Sequence, residues 1–102
     1  MQSPYIWAMI DPSLGPVGRE IAQRLDVALA PRRLAVINDS AMHHGHAGDD
    51  GSGESHFTVD VVADAFAGKS RVARQRMVNA ALADLLRDRI HALVIHARAP
   101  GE

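Results

Sequence analysis

Residues 56–62 read His56-Phe57-Thr58-Val59-Asp60-Val61-Val62, and their alternation decides the fold. In an extended chain Phe57, Val59 and Val61 fall on one side, and His56, Thr58, Asp60 and Val62 on the other. Such a strand buries its Phe57 side and must find backbone partners along both edges. Upstream, Arg33-Leu34-Ala35-Val36-Ile37-Asn38 is apolar and partly β-branched, a second strand. Downstream, Ile90 to Ala97 forms the third, ended by Pro100. Period two in this last strand puts His91 with Leu93 and Ile95 on the core face, whereas His56 is expected on the exposed one.

Two helices flank these strands. Pro16 suits a first turn, Glu20 complements the positive end of the helix dipole, and Val17, Ile21, Leu25, Ala28 and Leu29 recur at helical spacing until Pro31 stops the run. After a connector with Phe66 as a core plug, Ser70 caps a second helix. Its apolar face is Val72 or Ala73, Met77, Val78, Ala81, Leu82, Leu85 and Leu86. The expected order is α-β-β-α-β. Adjacent strands pair antiparallel across the long loop, and the strand–helix–strand unit pairs parallel through a right-handed crossover. The fold class is α+β, a two-layer domain with a three-stranded mixed sheet and its helices on one face. The other face, with Thr58, Asp60 and His96, is expected to be wet. Residues 16–102 make the domain, and residues 1–15 read as an N-terminal extension with a short apolar patch at Tyr5, Ile6, Trp7, Met9 and Ile10.

At 102 residues there is room for one modest core, built mainly from Val, Leu, Ile and Ala because only four residues are Phe, Tyr or Trp. A net charge of −1 gives no global field to attract nucleic acid, so any basic surface is local. With no cysteine the chain supplies neither disulfide nor thiolate, which fits a reducing compartment. No apolar run reaches a membrane span and no signal peptide is visible, so the expectation is a cytoplasmic protein without membrane contact.

Residues 39–54 form a loop holding four of the eight glycines, with His43, His44 and His46 close together. Imidazole binds borderline metals while neutral, and a glycine-rich loop is costly to order. His43 and His44 read equally well as solvated loop residues, while His46 is sterically open between Gly45 and Ala47-Gly48. His91 reads either as a buried hydrogen-bonded residue or as a fixed ligand beside the loop. Two histidines leave a zinc site incomplete unless a partner brings the rest. Lys69, Arg71, Arg74 and Arg76 cluster at the start of the second helix, either as a solvated face or as an anion contact using the amides there. Asp39-Ser40 and Glu54-Ser55-His56 bring serines and carboxylates near histidines, but no oxyanion hole or positioned base. No catalytic residue is assigned.

The stretch Arg33 to Ser40, the His/Gly loop, Gly53 to Phe57, Phe66 to Lys69, Arg74 to Val78, and Ile90 to Leu93 followed by Ala99-Pro100 resemble, in this order, the BolA family. The resemblance covers about residues 16–102. It implies a class II KH-like fold and partnership with a monothiol glutaredoxin of the CGFS type, sharing a [2Fe–2S] cluster held also by a glutaredoxin cysteine and glutathione. On this side it implies His91 as one ligand and a loop residue as the other, His46 matching best and His44 competing. Mixed His and thiolate ligation has a precedent in Rieske centres. The role implied is a non-enzymatic adaptor in iron–sulfur trafficking or iron and redox regulation, monomeric or weakly dimeric alone. The alternative is a DNA-binding regulator of stress response and morphology using Lys69, Arg71, Arg74 and Arg76. A stand-alone zinc or copper protein using His43, His44 and His46 ranks below both. Two departures weigh on the DNA role. Ala67-Gly68-Lys69-Ser70 has a single glycine where nucleic-acid-binding KH domains have Gly-x-x-Gly, and Gln75 replaces a histidine many members carry.

Overall fold

Val17, Ile21, Leu25 and Leu29 line one side of the first helix and, with Leu14 just before it, enter the core almost fully buried. In this computed structural model, which describes residues 14–40 and 53–102, the helix is α1 (Pro16–Leu29). It leads into β1 (Arg33–Asn38), then β2 (His56–Val62), a 3₁₀ turn (Asp64–Phe66), α2 (Arg71–Ala81), α3 (Ala83–Asp88) and β3 (Ala92–Arg98). The sheet order is β1-β2-β3. β1 pairs antiparallel with β2, Val36 opposite Val59, and β3 pairs parallel with it, Val59 opposite Ile95. This is the expected mixed sheet.

The alternation that defines β2 does its work here. Phe57, Val59 and Val61 join Leu34 and Val36 of β1, the α1 residues, and Val78, Leu82 and Leu85 in a single buried cluster. Phe66 is fully buried, the core plug expected of the connector after β2. Burying each such aliphatic or aromatic side chain contributes roughly 1.5–3 kcal/mol. On the opposite sheet face Thr58 and Asp60 are half-buried, His96 is exposed, and Ile37 and Val94 remain about half accessible.

Several local expectations are corrected. The second helix is not continuous: Leu82, at φ −110° and ψ 14°, divides it, and its amide reaches the carbonyls of both Val78 and Asn79. The break turns Leu82 fully into the core. Val72 stays exposed and Ala73 takes the inner position, while on α1 Ala28 is exposed and Asp26 is buried. Glu20 pairs with Arg24 at 3.0 Å rather than serving the helix start. That start is instead capped from across the fold, the Val17 N–H donating to Glu54 Oε2 at 3.1 Å and Oε1 at 3.2 Å. Gly15 makes this possible, because a β-carbon there would lie 2.1 Å from Glu54 Oε1. Ser70 caps α2 as expected, accepting the Ala73 N–H at 3.0 Å. The apolar patch expected between Tyr5 and Ile10 lies outside the described residues.

Candidate functional site

The descending foot of the His/Gly loop, residues 53–56, is built by side chains that grip backbone. Asn38 Nδ2 donates to the Gly53 carbonyl at 2.6 Å, and Asn38 Oδ1 accepts the Ser40 N–H at 2.9 Å. The buried Ser40 hydroxyl accepts two amides, Ser55 N–H at 2.9 Å and His56 N–H at 3.1 Å. Thr58 donates a short hydrogen bond to Asp39 Oδ2. Both ends of the loop are therefore clamped at the top of β1 and β2.

Ser55 links this foot to the last strand. Its carbonyl accepts the amides of His91 at 2.8 Å and Ala92 at 3.2 Å. Two amides on one carbonyl break the alternation there, so β3 begins at Ala92 rather than Ile90. This overturns the expected position of His91. Ile90 is buried, whereas His91 leaves the core face and is exposed. His56 reverses its expectation as well. It lies on the side opposite Phe57, yet only 5% of it is accessible. Its Nδ1 pairs with Ser55 Oγ at 2.9 Å, and its ring packs against that of His91, centroids 5.5 Å apart and planes tilted by 48°.

Thus a buried and an exposed imidazole meet at the loop's foot. His44 and His46, the loop candidates, lie outside the described residues. Among the described residues no three His, Cys, Asp or Glu side chains group as a metal site. Ser55 is fully buried, its hydroxyl turned to His56 and away from solvent.

The basic residues occupy a second region, an open groove of about 650 Å³ between the start of α2 and the outer edge of β3. Lys69, Arg71 and Arg74 line it with Arg98, which bridges to Asp60 at 3.2 Å. Arg76 is exposed but does not line it. Arg74 is heavily engaged. It donates through Nη2 to Glu102 Oε2 at 2.7 Å and through Nε to the Lys69 carbonyl at 3.0 Å, and a short ion pair joins Nη1 to Glu102 Oε1. The hydrogen bond from Arg74, then that from the Ala99 N–H, draws the Glu102 carboxyl down to about 2.

A family model described as BolA-like protein matches residues 25–102. The chain belongs to the BolA family. The structure is similar to the BolA domain of SufE1 from Arabidopsis thaliana, with a TM-score of 0.78 and 40% identity, covering 86% of this chain and 96% of that one. In sequence it is 49% identical over 82 residues to a DNA-binding transcriptional regulator BolA of Vibrio cholerae, covering 80% of this chain and 74% of the relative. It is 44% identical over 90 residues to human BolA-like protein 1, covering 88% of this chain and 63% of that protein. Of the Arabidopsis SufE-like protein 1 it spans a quarter of the length.

The polar foot of this BolA-family domain was missed in the sequence. Asp39-Ser40 and Glu54-Ser55-His56 were legible as serines and carboxylates next to histidines, but serving backbone amides instead of chemistry is a property of the fold. Glu102 and Arg98 had no local signal at all. Among the described residues no helix is long and apolar enough to cross a membrane.

Proposed function

We propose that this BolA-family protein is a non-enzymatic cytoplasmic adaptor that holds a [2Fe–2S] cluster together with a monothiol glutaredoxin. The observation that carries the reading is the position of His91: exposed, outside the core, and tied through its amide to the foot of the His-rich loop. Imidazole donors suit the histidine half of a mixed thiolate and histidine ligand set. The chain has no cysteine, so thiolates would come from the glutaredoxin and glutathione. His91 would be the fixed ligand and a loop histidine, His46 or His44, the second. When bound, the cluster supplies redox and iron-sensing chemistry; this chain binds, orients and shields. Its Ser55 carbonyl fixes the backbone of His91, and Ser40 fixes the foot from which the loop departs.

Mixing the apo-protein with cluster-loaded monothiol glutaredoxin should alter the visible absorption and circular dichroism, and His91→Ala should abolish the change. An undiminished response from the variant removes His91 from the ligand set.

The groove favours a second reading, binding of DNA through phosphate contacts, in line with the Vibrio relative's description. Lys69 and Arg71 are exposed beside it, whereas Arg74 is committed to Glu102. Lys69→Ala should then weaken DNA binding and lower the salt slope by about one unit. Salt-independent binding would reject this reading.

A further inference from the structure

β3 stands at one edge of the sheet, and its outer backbone is only loosely covered. Successive residues of a strand turn their amide and carbonyl groups to opposite sides. The Arg98 carbonyl faces β2's side and accepts the Ala63 N–H at 3.0 Å, so Ile95 and Ala97 turn their backbone groups outward. Side chains from α2 reach those outward carbonyls. Gln75 Nε2 donates to Ile95 and Arg74 Nη1 to Ala97, each at 3.4 Å. Both contacts are longer than the roughly 2.7–3.2 Å of a well-formed N–H···O bond. Among the described residues nothing accepts the outward amides of Ile95 and Ala97.

This edge runs along the open groove, which Ile95 and Ala97 help to line. Charge there is one-sided. Asp60 is paired with Arg98 and Glu102 with Arg74, which leaves Lys69 and Arg71 as the exposed cations toward α2. On the open sheet face the same edge carries His96 and Val94, the latter half accessible.

We propose that the outer edge of β3 accepts an extended peptide segment as an added strand, acidic on the side toward α2 and apolar on the side toward Val94. Backbone pairing would supply affinity, and the side chains meeting Lys69, Arg71 and Val94 would supply selectivity. Glu102 shows that the groove accommodates a carboxylate, since both of its oxygens engage Arg74. A second copy of this chain does not suit the edge, because pairing two such edges would crowd the cations of both. Nucleic acid could use Lys69 and Arg71, but its phosphates do not match alternating backbone donors and acceptors. The inference is independent of the cluster reading and competes with the DNA reading for the same two cations.

The test is amide hydrogen exchange by NMR on the full chain, with a capped Glu-Val-Glu-Val-Glu-Val peptide as probe. In the free protein the Ile95 and Ala97 amides should exchange faster than those of Val94 and His96, which face β2. Saturating peptide should slow exchange at Ile95 and Ala97. The same peptide N-methylated at its two central amides keeps its charge and should lose that protection. Lys69→Ala and Arg71→Ala, both at exposed positions, should each weaken binding roughly 1.5- to 5-fold. Unprotected Ile95 and Ala97 amides at saturation, or equal protection by the methylated peptide, overturn the proposal. Protection that grows with protein concentration alone would assign the edge to a second copy instead. Protection by duplex DNA and none by the peptide would return the groove to nucleic acid.

Discussion

At Ser40 one hydroxyl accepts the amides of Ser55 and His56, two donors that would otherwise be buried without partners. A buried donor left unsatisfied costs about 1–3 kcal/mol, so Ser40→Ala should destabilise the protein by that order, read from denaturant unfolding. The same substitution should speed hydrogen exchange at the Ser55 and His56 amides more than at Val59 or Val61. Uniform acceleration would mean that Ser40 supports the whole fold and not the foot. Neither role was legible in the sequence. Asp39-Ser40 resembles any polar strand end, and its partners lie 15 and 16 residues further along the chain. His56 shows the same limit. Alternation placed it correctly on the side opposite Phe57, but burial depends on what meets that side, the His91 ring and the Ser55 hydroxyl among it.

Elements in this domain are secured by groups from other elements. α1 has no acidic residue in its first turn and receives its cap from Glu54. Gly15→Ala should push that carboxylate away, since the new β-carbon would stand 2.1 Å from Glu54 Oε1. The end of β3 is fastened to α2 through Arg74 and Glu102. The Glu102 carboxyl is held below the ordinary Glu range, first by hydrogen bonding to Arg74, so its contribution is complete above that range and is lost as the pH falls through about 2. A carboxyl-resolved NMR titration should give a Glu102 midpoint near 2. Arg74→Gln should raise it toward about 4.3, the usual value for Glu, with the Ala99 N–H still holding it below. A midpoint already in the usual range in the wild type would show that the clasp is open in solution.

At the scale of the whole molecule, the described residues share one buried cluster under one sheet face, and substitutions should divide accordingly. Leu25, fully buried, should cost about 2–5 kcal/mol as Leu25→Ala through transfer and cavity formation. Val27, two residues along the same helix and 74% exposed, should change stability by within about 0.5 kcal/mol as Val27→Ala. Equal losses in chemical unfolding would contradict the packing described here. At this scale the sequence was most legible. The period of two at Phe57, Val59 and Val61, the helical spacing of Val17, Ile21 and Leu25, and the Ser70 cap all express near-neighbour geometry along the chain. They determined the three strands, the two helical stretches, the mixed sheet and most of the inward positions. Tertiary structure alone decided that His91 leaves its apolar stripe, that His56 is enclosed, that Leu82 breaks a helix, and that Arg74 answers to Glu102. Each of these depends on which distant atom a backbone amide or charged group meets once the layers close, and no periodicity along the chain encodes that meeting.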